Sequence, residues 1–281
     1  MPRKSPASGS AALSEAGQTP YGDKMIADKD GALGWMIFNN PARHNALSID
    51  MWKGMGIIMS AFQEDPSVRV VVMKGAGEKA FVSGADISEF AKHRSSAEAE
   101  KEYDRISAES QATLKNFDKP LIAMINGYCI GGGLGVALSA DIRICSDNSV
   151  FSIPAARLGL GYGFEGMKIL SDLVGPSSAK DIMFTARKLQ AEEAANIGLV
   201  NMVTKSNELE QTVQHYVEKI SENAPLTIAA AKSAVNESLK DPKKRDLQGL
   251  ENKIRAIFDS EDYKEGRTAF MEKRRPIFRG R

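Results

Sequence analysis

The stretch Pro120-Leu121-Ile122-Ala123-Met124-Ile125-Asn126-Gly127-Tyr128-Cys129-Ile130-Gly131-Gly132-Gly133-Leu134-Gly135-Val136-Ala137-Leu138 runs an apolar segment into three glycines and then into a helix start. Glycines at such a junction leave backbone N–H groups bare, and a side chain at Gly132 would block whatever approaches them. The positive end of the helix adds to the attraction for an anion. The same residues also make a tight strand-to-helix turn, so the triplet alone leaves a turn and an anion site both open.

Working outward, strand and helix patterns alternate. Met25–Asp28 and Ala32–Phe38 flank Lys29-Asp30-Gly31 as a hairpin. Ser48 is placed to cap a helix bearing Met51, Met55, Ile58 and Phe62 at helical spacing. Val68–Met73 is a β-branched run, and Ala97–Phe117 is polar and reads as an exposed helix. Leu121–Ile125, Ile142–Cys145 and Val150–Ile153 read as strands. Strands alternating with helices predict a mainly parallel sheet. From Gly166 onward the patterns are helical: Gly166–Leu173, Ser177–Thr185, Ala191–Ile197, Asn207–Asn223 and about Pro225–Leu239, with one or two more before the end.

Bulk properties narrow the class. The net charge of +1 gives no field that argues for nucleic acid or an anionic membrane. No run of ~18 or more apolar residues is present, so no membrane span is expected. Cys129 and Cys145 sit in apolar runs without a CxxC partner, which argues against a metal site and for a reducing, cytoplasmic setting. Residues 1–20, rich in Ser, Ala, Gly and Pro, are expected to form a disordered tail.

A second glycine-bearing segment, Ala80-Phe81-Val82-Ser83-Gly84-Ala85-Asp86-Ile87, follows another β-type run. Two such turns can converge their N–H groups on one oxygen, the layout of a main-chain oxyanion hole. Asp86 also reads as a helix cap, and Asp86 and Glu89 are read as structural.

With these segments stand Phe38-Asn39-Asn40-Pro41, Asn45-Ala46-Leu47, Asp141-Ile142, Ala191–Val200 and the C-terminal Ser260-Glu261-Asp262 with Lys273-Arg274 and Pro276-Ile277-Phe278. In this order, over residues 21–278, the chain resembles the enoyl-CoA hydratase/isomerase (crotonase) family. The resemblance implies an α/β fold, the crotonase (ClpP-like) spiral of ββα units over 21–200, and a helical C-terminal trimerisation region over 201–281. It also implies a homotrimer or dimer of trimers and an acyl-CoA thioester substrate. Coenzyme A would arrive as part of that substrate, with no other cofactor and no metal. Carried onto this chain, the oxyanion donors fall on the N–H groups of Ser83 and Gly132. Ser83, Gly84, Ala85, Asp86 and Gly132 then surround the thioester, His44 lies near the CoA nucleotide and Lys273 near its phosphates. Arg267, Arg274 and Arg275 read either as phosphate contacts or as a solvated helix end, while His93 and His215 read as solvated.

The chain departs from the family at two positions. Its hydratases carry one glutamate two residues after the third glycine, here Gly135, and another directly after the strand-end proline, here Ala155. Glycine and alanine can neither activate water nor protonate carbon. Tyr162 falls where methylmalonyl-CoA decarboxylases of the family place a tyrosine, and otherwise reads as a packed aromatic. Glu165 is either a relocated acid/base or a carboxylate favouring a helix N-terminus. The expectation is an acyl-CoA lyase of the enoyl-CoA hydratase type stabilising a thioester enolate. A malonyl-type decarboxylase using Tyr162 and a non-catalytic acyl-CoA-binding relative stand as alternatives.

Overall fold

A computed structural model describes residues 21–86 and 97–281, so the expected tail, Glu89 and His93 lie outside the described residues. Among the described residues ten strands run in chain order: β1 Met25–Asp30, β2 Leu33–Phe38, β3 Val70–Gly75, β4 Ala80–Val82, β5 Leu121–Ile125, β6 Tyr128–Ile130, β7 Ile142–Ser146, β8 Val150–Ser152, β9 Leu189–Gln190 and β10 Met202–Thr204. The described α-helices are α1 Ile49–Glu64, α2 Ala97–Lys115, α3 Gly132–Leu138, α4 Ala155–Leu158, α5 Phe164–Thr185, α6 Ala191–Asn196, α7 Leu209–Ser221, α8 Pro225–Ser238, α9 Leu247–Asp259 and α10 Glu261–Glu272.

The parallel sheet is two sheets. One has the order β1-β2-β3-β5-β7-β10 and the other β4-β6-β8-β9. Each of the pairs β3/β4, β5/β6 and β7/β8 lays one strand in each sheet, and the chain then returns one place over. That alternation is the spiral of ββα units, with the β1–β2 hairpin antiparallel at one edge. The apolar run quoted first is therefore not one strand. It breaks at Asn126-Gly127, where Gly127 takes φ +72 and lets the chain cross from β5 to β6. The strands β9 and β10 carry too short a pattern to be read in sequence, and β10 extends the larger sheet past residue 200.

Strand alternation sorts the larger sheet's side chains. Met36, Phe38, Val71, Met73, Leu121, Ala123 and Ile125 face the smaller sheet and join α1 in the main core. Leu33, Trp35, Val70, Val72, Ile122 and Ile144 face outward, where Leu209, Val213 and Val217 of α7 cover them. Each such side chain, fully buried, stabilises the fold by roughly 1.5–3 kcal/mol. Ser48 caps α1 as expected, its Oγ accepting from Met51 N–H at 3.3 Å. The helix α2 is not simply exposed: Tyr103, Ile106, Ser110 and Leu114, spaced three and four apart, form a buried face against α1. The two helices expected around residues 166–185 are both present within α5, meeting at a kink where Gly175 leaves helical geometry (φ 77, ψ 159), ahead of Pro176.

The short strand β4 is pressed by three glycines. A Cβ on Gly75 would lie 2.2 Å from the Ala80 carbonyl oxygen, one on Gly127 2.1 Å from the Lys79 oxygen, and one on Gly133 2.1 Å from the Val82 oxygen. No side chain fits at those separations. Gly133→Ala is therefore expected to lower stability by at least about 1–3 kcal/mol, the usual cost of overpacking, measured as a drop in urea midpoint at unchanged m-value. A midpoint equal to that of the parent chain would show that β4 and α3 can separate without cost.

Candidate active site

Buried Asn45 draws the loop after β2 onto β4. Its Nδ2 donates to the carbonyls of Ala76 (3.0 Å) and Ala80 (2.8 Å), and its Oδ1 accepts from Asn40 N–H at 2.9 Å. The residue holds a left-handed φ of 57°, which asparagine tolerates. This places Leu47 beside the segment that leaves β4. Leu47 N–H donates to the Gly84 carbonyl (2.8 Å), and Asp86 N–H donates to the Leu47 carbonyl (2.9 Å). The pair Leu47 and Ala85 is thus an isolated parallel bridge.

In a parallel ladder, a residue whose two neighbours bond the partner strand turns its own N–H and C=O the other way. Ala85 therefore points its N–H away from Leu47, toward α3. Among the described residues that N–H donates to nothing, and neither does the N–H of Gly132. Asp86 is buried, with Arg43 at 3.9 Å.

The three glycines of the turn differ in why they are glycine. Gly131 holds φ 54, ψ −117, a conformation closed to other residues, and donates its N–H to the Ser152 carbonyl at 2.8 Å. Gly133 has no room for a Cβ above Val82. Gly132 has neither constraint. A Cβ there would make ordinary contacts, 3.8 Å from Trp52 Cζ2 and 3.9 Å from both Ala85 N and Leu47 Cδ1. Its missing side chain leaves a hollow walled by an indole edge and a leucine methyl, with the Ala85 nitrogen on its rim. Neither its contacts nor its backbone conformation requires glycine at this position.

One expected donor is corrected. The N–H of Ser83 is already bonded, to the His44 carbonyl at 3.1 Å, and the Ser83 hydroxyl donates to the Arg43 carbonyl at 3.3 Å. Among the described residues the amides of Gly84 and Ala85 donate to nothing, and it is the Ala85 nitrogen, two residues on from Ser83, that lies 3.9 Å from a Cβ built on Gly132. Spacing cannot distinguish the two, because alternate residues of a strand share a face, and only the pairing with Leu47 decides which N–H is left over.

Gly135 stands on the first turn of α3, its N–H donating to the Gly131 carbonyl at 3.1 Å, and no described atom lies within 4 Å of where its Cβ would be. Ala155 is buried at the start of α4, next to Pro154, whose Cδ lies 3.9 Å from a Cβ built on Gly131. Both positions where the family's hydratases carry carboxylates thus flank the glycine turn and bring no carboxylate to it.

The remaining expected residues are spread out. Tyr162, 39% exposed, lies between α4 and α5, and desolvation raises the pKa of its phenol. The Glu165 carboxylate, 76% exposed in the first turn of α5, faces Lys115 at 3.6 Å, as the helix-terminus reading expects, rather than the hollow. His44 holds a left-handed φ of 51° and sets its ring edge-on to Tyr128 with centroids 6.2 Å apart. Lys273 closes α10, also left-handed at φ 54. Arg274 is engaged within the chain, forked on Glu265 at 2.6 and 2.8 Å. The residue sequence reading missed is Trp52: the apolar stripe of α1 was read through Met51 and Met55, and nothing in that pattern marks Trp52 as a wall of the site.

Known proteins resemble this chain over most of its length. The family model described as enoyl-CoA hydratase/isomerase matches residues 28–281. The short-chain-enoyl-CoA hydratase of Clostridium acetobutylicum is 38% identical over 253 residues, covering 90% of this chain and 96% of that protein. The crotonyl-CoA hydratase of Syntrophomonas wolfei is 34% identical, covering 91% and 98%. The crystal structure of an enoyl-CoA hydratase/carnithine racemase from Magnetospirillum magneticum superimposes with a TM-score of 0.88 at 32% identity, covering 92% of this chain and 96% of that one. The chain belongs to the enoyl-CoA hydratase/isomerase family.

Proposed function

We propose that this protein is an acyl-CoA lyase that stabilises a thioester enolate between the N–H groups of Ala85 and Gly132. The carrying observation is the hollow at Gly132, which the fold does not require, with an unused amide on its rim. As the enolate forms, negative charge gathers on the thioester oxygen, and two fixed donors in an apolar recess stabilise it more than they stabilise the neutral carbonyl. Relatives named for short-chain enoyl-CoA and crotonyl-CoA support a short acyl group.

The acid and base of the reaction are less conventional. With glycine at 135 and alanine at 155, hydration has to draw its proton transfers from elsewhere, and Tyr162 is the side chain we assign first, ahead of Glu165. A second reading follows from the same two positions. Loss of CO2 from a malonyl-type thioester generates the enolate without a base at carbon, so this pocket suits it. On either reading coenzyme A enters with the substrate, and the cytoplasm suits the two buried free thiols, Cys129 and Cys145.

We also infer that copies of the chain associate as a trimer through the C-terminal helices. Leu247, Ile254 and Phe258 line one stripe of α9, yet no residue of α9 is buried within the chain. Neighbouring Val235 and Leu239 on α8 are exposed as well.

Two measurements test these readings. Steady-state turnover of crotonyl-CoA and of methylmalonyl-CoA separates hydration from decarboxylation. In either assay Gly132→Ala is expected to keep the thermal midpoint of the parent, alanine being the better helix former. It should cut kcat/KM by about 10²–10³, the usual loss of one oxyanion contact. Full turnover in Gly132→Ala would refute the enolate site. Phe258→Glu is expected to shift the sedimentation coefficient from that of a trimer to that of a monomer. An unchanged coefficient would place the interface elsewhere.

A further inference from the structure

The hollow at Gly132 is closed on one side by a single large side chain. Trp52 is 3% exposed, and the edge it turns to the hollow is the apolar benzo edge, Cζ2. Near that carbon on the ring, Nε1–H donates to the Tyr103 hydroxyl of α2 at 3.1 Å. The backbone behind it is held too, since Ser110 Oγ, also on α2, donates to the Trp52 carbonyl at 2.6 Å. Tyr103 and Ser110 are themselves buried. The indole is thus held by one hydrogen bond and its backbone by another, and the ring does not rotate away without breaking the buried bond to Tyr103.

Gly132 and Gly135 lie three residues apart on one face of α3, and nothing described crowds the position of a Cβ on Gly135. A thioester oxygen seated in the hollow therefore meets a wall at Trp52 and room at Gly135.

We propose that Trp52 is the specificity-determining residue that limits the acyl group: its ring plugs the space between α1 and α2 behind the oxyanion donors. The substrates are acyl-CoA thioesters with a short main chain, whose bulk near the carbonyl is taken up beside Gly135. The same apolar edge keeps water from the hollow, which strengthens both N–H contacts to the developing charge. This rests on reading the hollow as the thioester site.

The test is calorimetric binding of butyryl-, octanoyl- and dodecanoyl-CoA to the full chain and to Trp52→Ala and Trp52→Leu, the latter a smaller change in volume that protects against a failure to fold. The parent is expected to bind butyryl-CoA at least tenfold more tightly than dodecanoyl-CoA. Either variant should narrow or reverse that ratio by at least tenfold. A folded variant with the parent's ratio, or a parent that binds dodecanoyl-CoA as tightly as butyryl-CoA, overturns the proposal. A parent that binds none of the three overturns the enolate-site reading and this one together. A second measurement needs no change at Trp52. In Trp35→Phe, Trp52 is the only tryptophan left. Butyryl-CoA should shift its emission, and an unmoved spectrum would show that the ring does not line the occupied site.

Discussion

The close approach of bare backbone to β4 is the constraint on which the rest depends. Three glycines from different parts of the chain set their Cα atoms against the carbonyls of Lys79, Ala80 and Val82, where a methyl group would collide. Gly75 turns the chain out of the larger sheet, Gly127 crosses it into the smaller one, and Gly133 lets α3 rest on β4. Because those contacts leave no slack, the segment after β4 and the first turn of α3 hold a fixed separation. That separation brings the Ala85 amide to the edge of the Gly132 hollow.

Given that geometry, the site works by subtraction. The parallel bridge to Leu47 uses the Gly84 carbonyl and the Asp86 N–H, on either side of Ala85, and leaves the Ala85 N–H over. Gly132, free of any steric need to be glycine, leaves a space the size of a methyl group, walled by carbon on two sides. Donors fixed in such a recess need no reorganisation when charge develops, which is the source of their effect on a rate. On the proposed reading, the positions at 135 and 155 carry the subtraction further: charge stabilisation would stand without the paired carboxylates, and the fate of the enolate would fall to groups such as Tyr162.

Much of this was legible in the sequence. The capping serine of α1, the strand at Leu121–Ile125, the alternation of strands and helices and the two glycine-bearing segments all rest on local chemistry, which the chain carries openly. What sequence did not carry are facts of pairing. That Asn126-Gly127 divides one apolar run between two sheets depends on where Lys79 lies. That Ala85 rather than Ser83 keeps a free amide depends on Leu47 as a partner. The buried face of α2 depends on α1, and the wall formed by Trp52 depends on a glycine eighty residues further on. In each case the residue type is ordinary, and only a distant neighbour gives it meaning.

The most direct measurement of the central claim is the carbonyl stretching frequency of a short enoyl-CoA bound to the protein, taken by isotope-edited difference spectroscopy with the thioester carbon labelled. Two N–H donors on the oxygen polarise the C=O bond, so the account predicts a band clearly below that of the free thioester, moving back toward it in Gly132→Ala. A bound thioester whose band coincides with that of the free compound would contradict the account, because its oxygen would then lie outside the hollow.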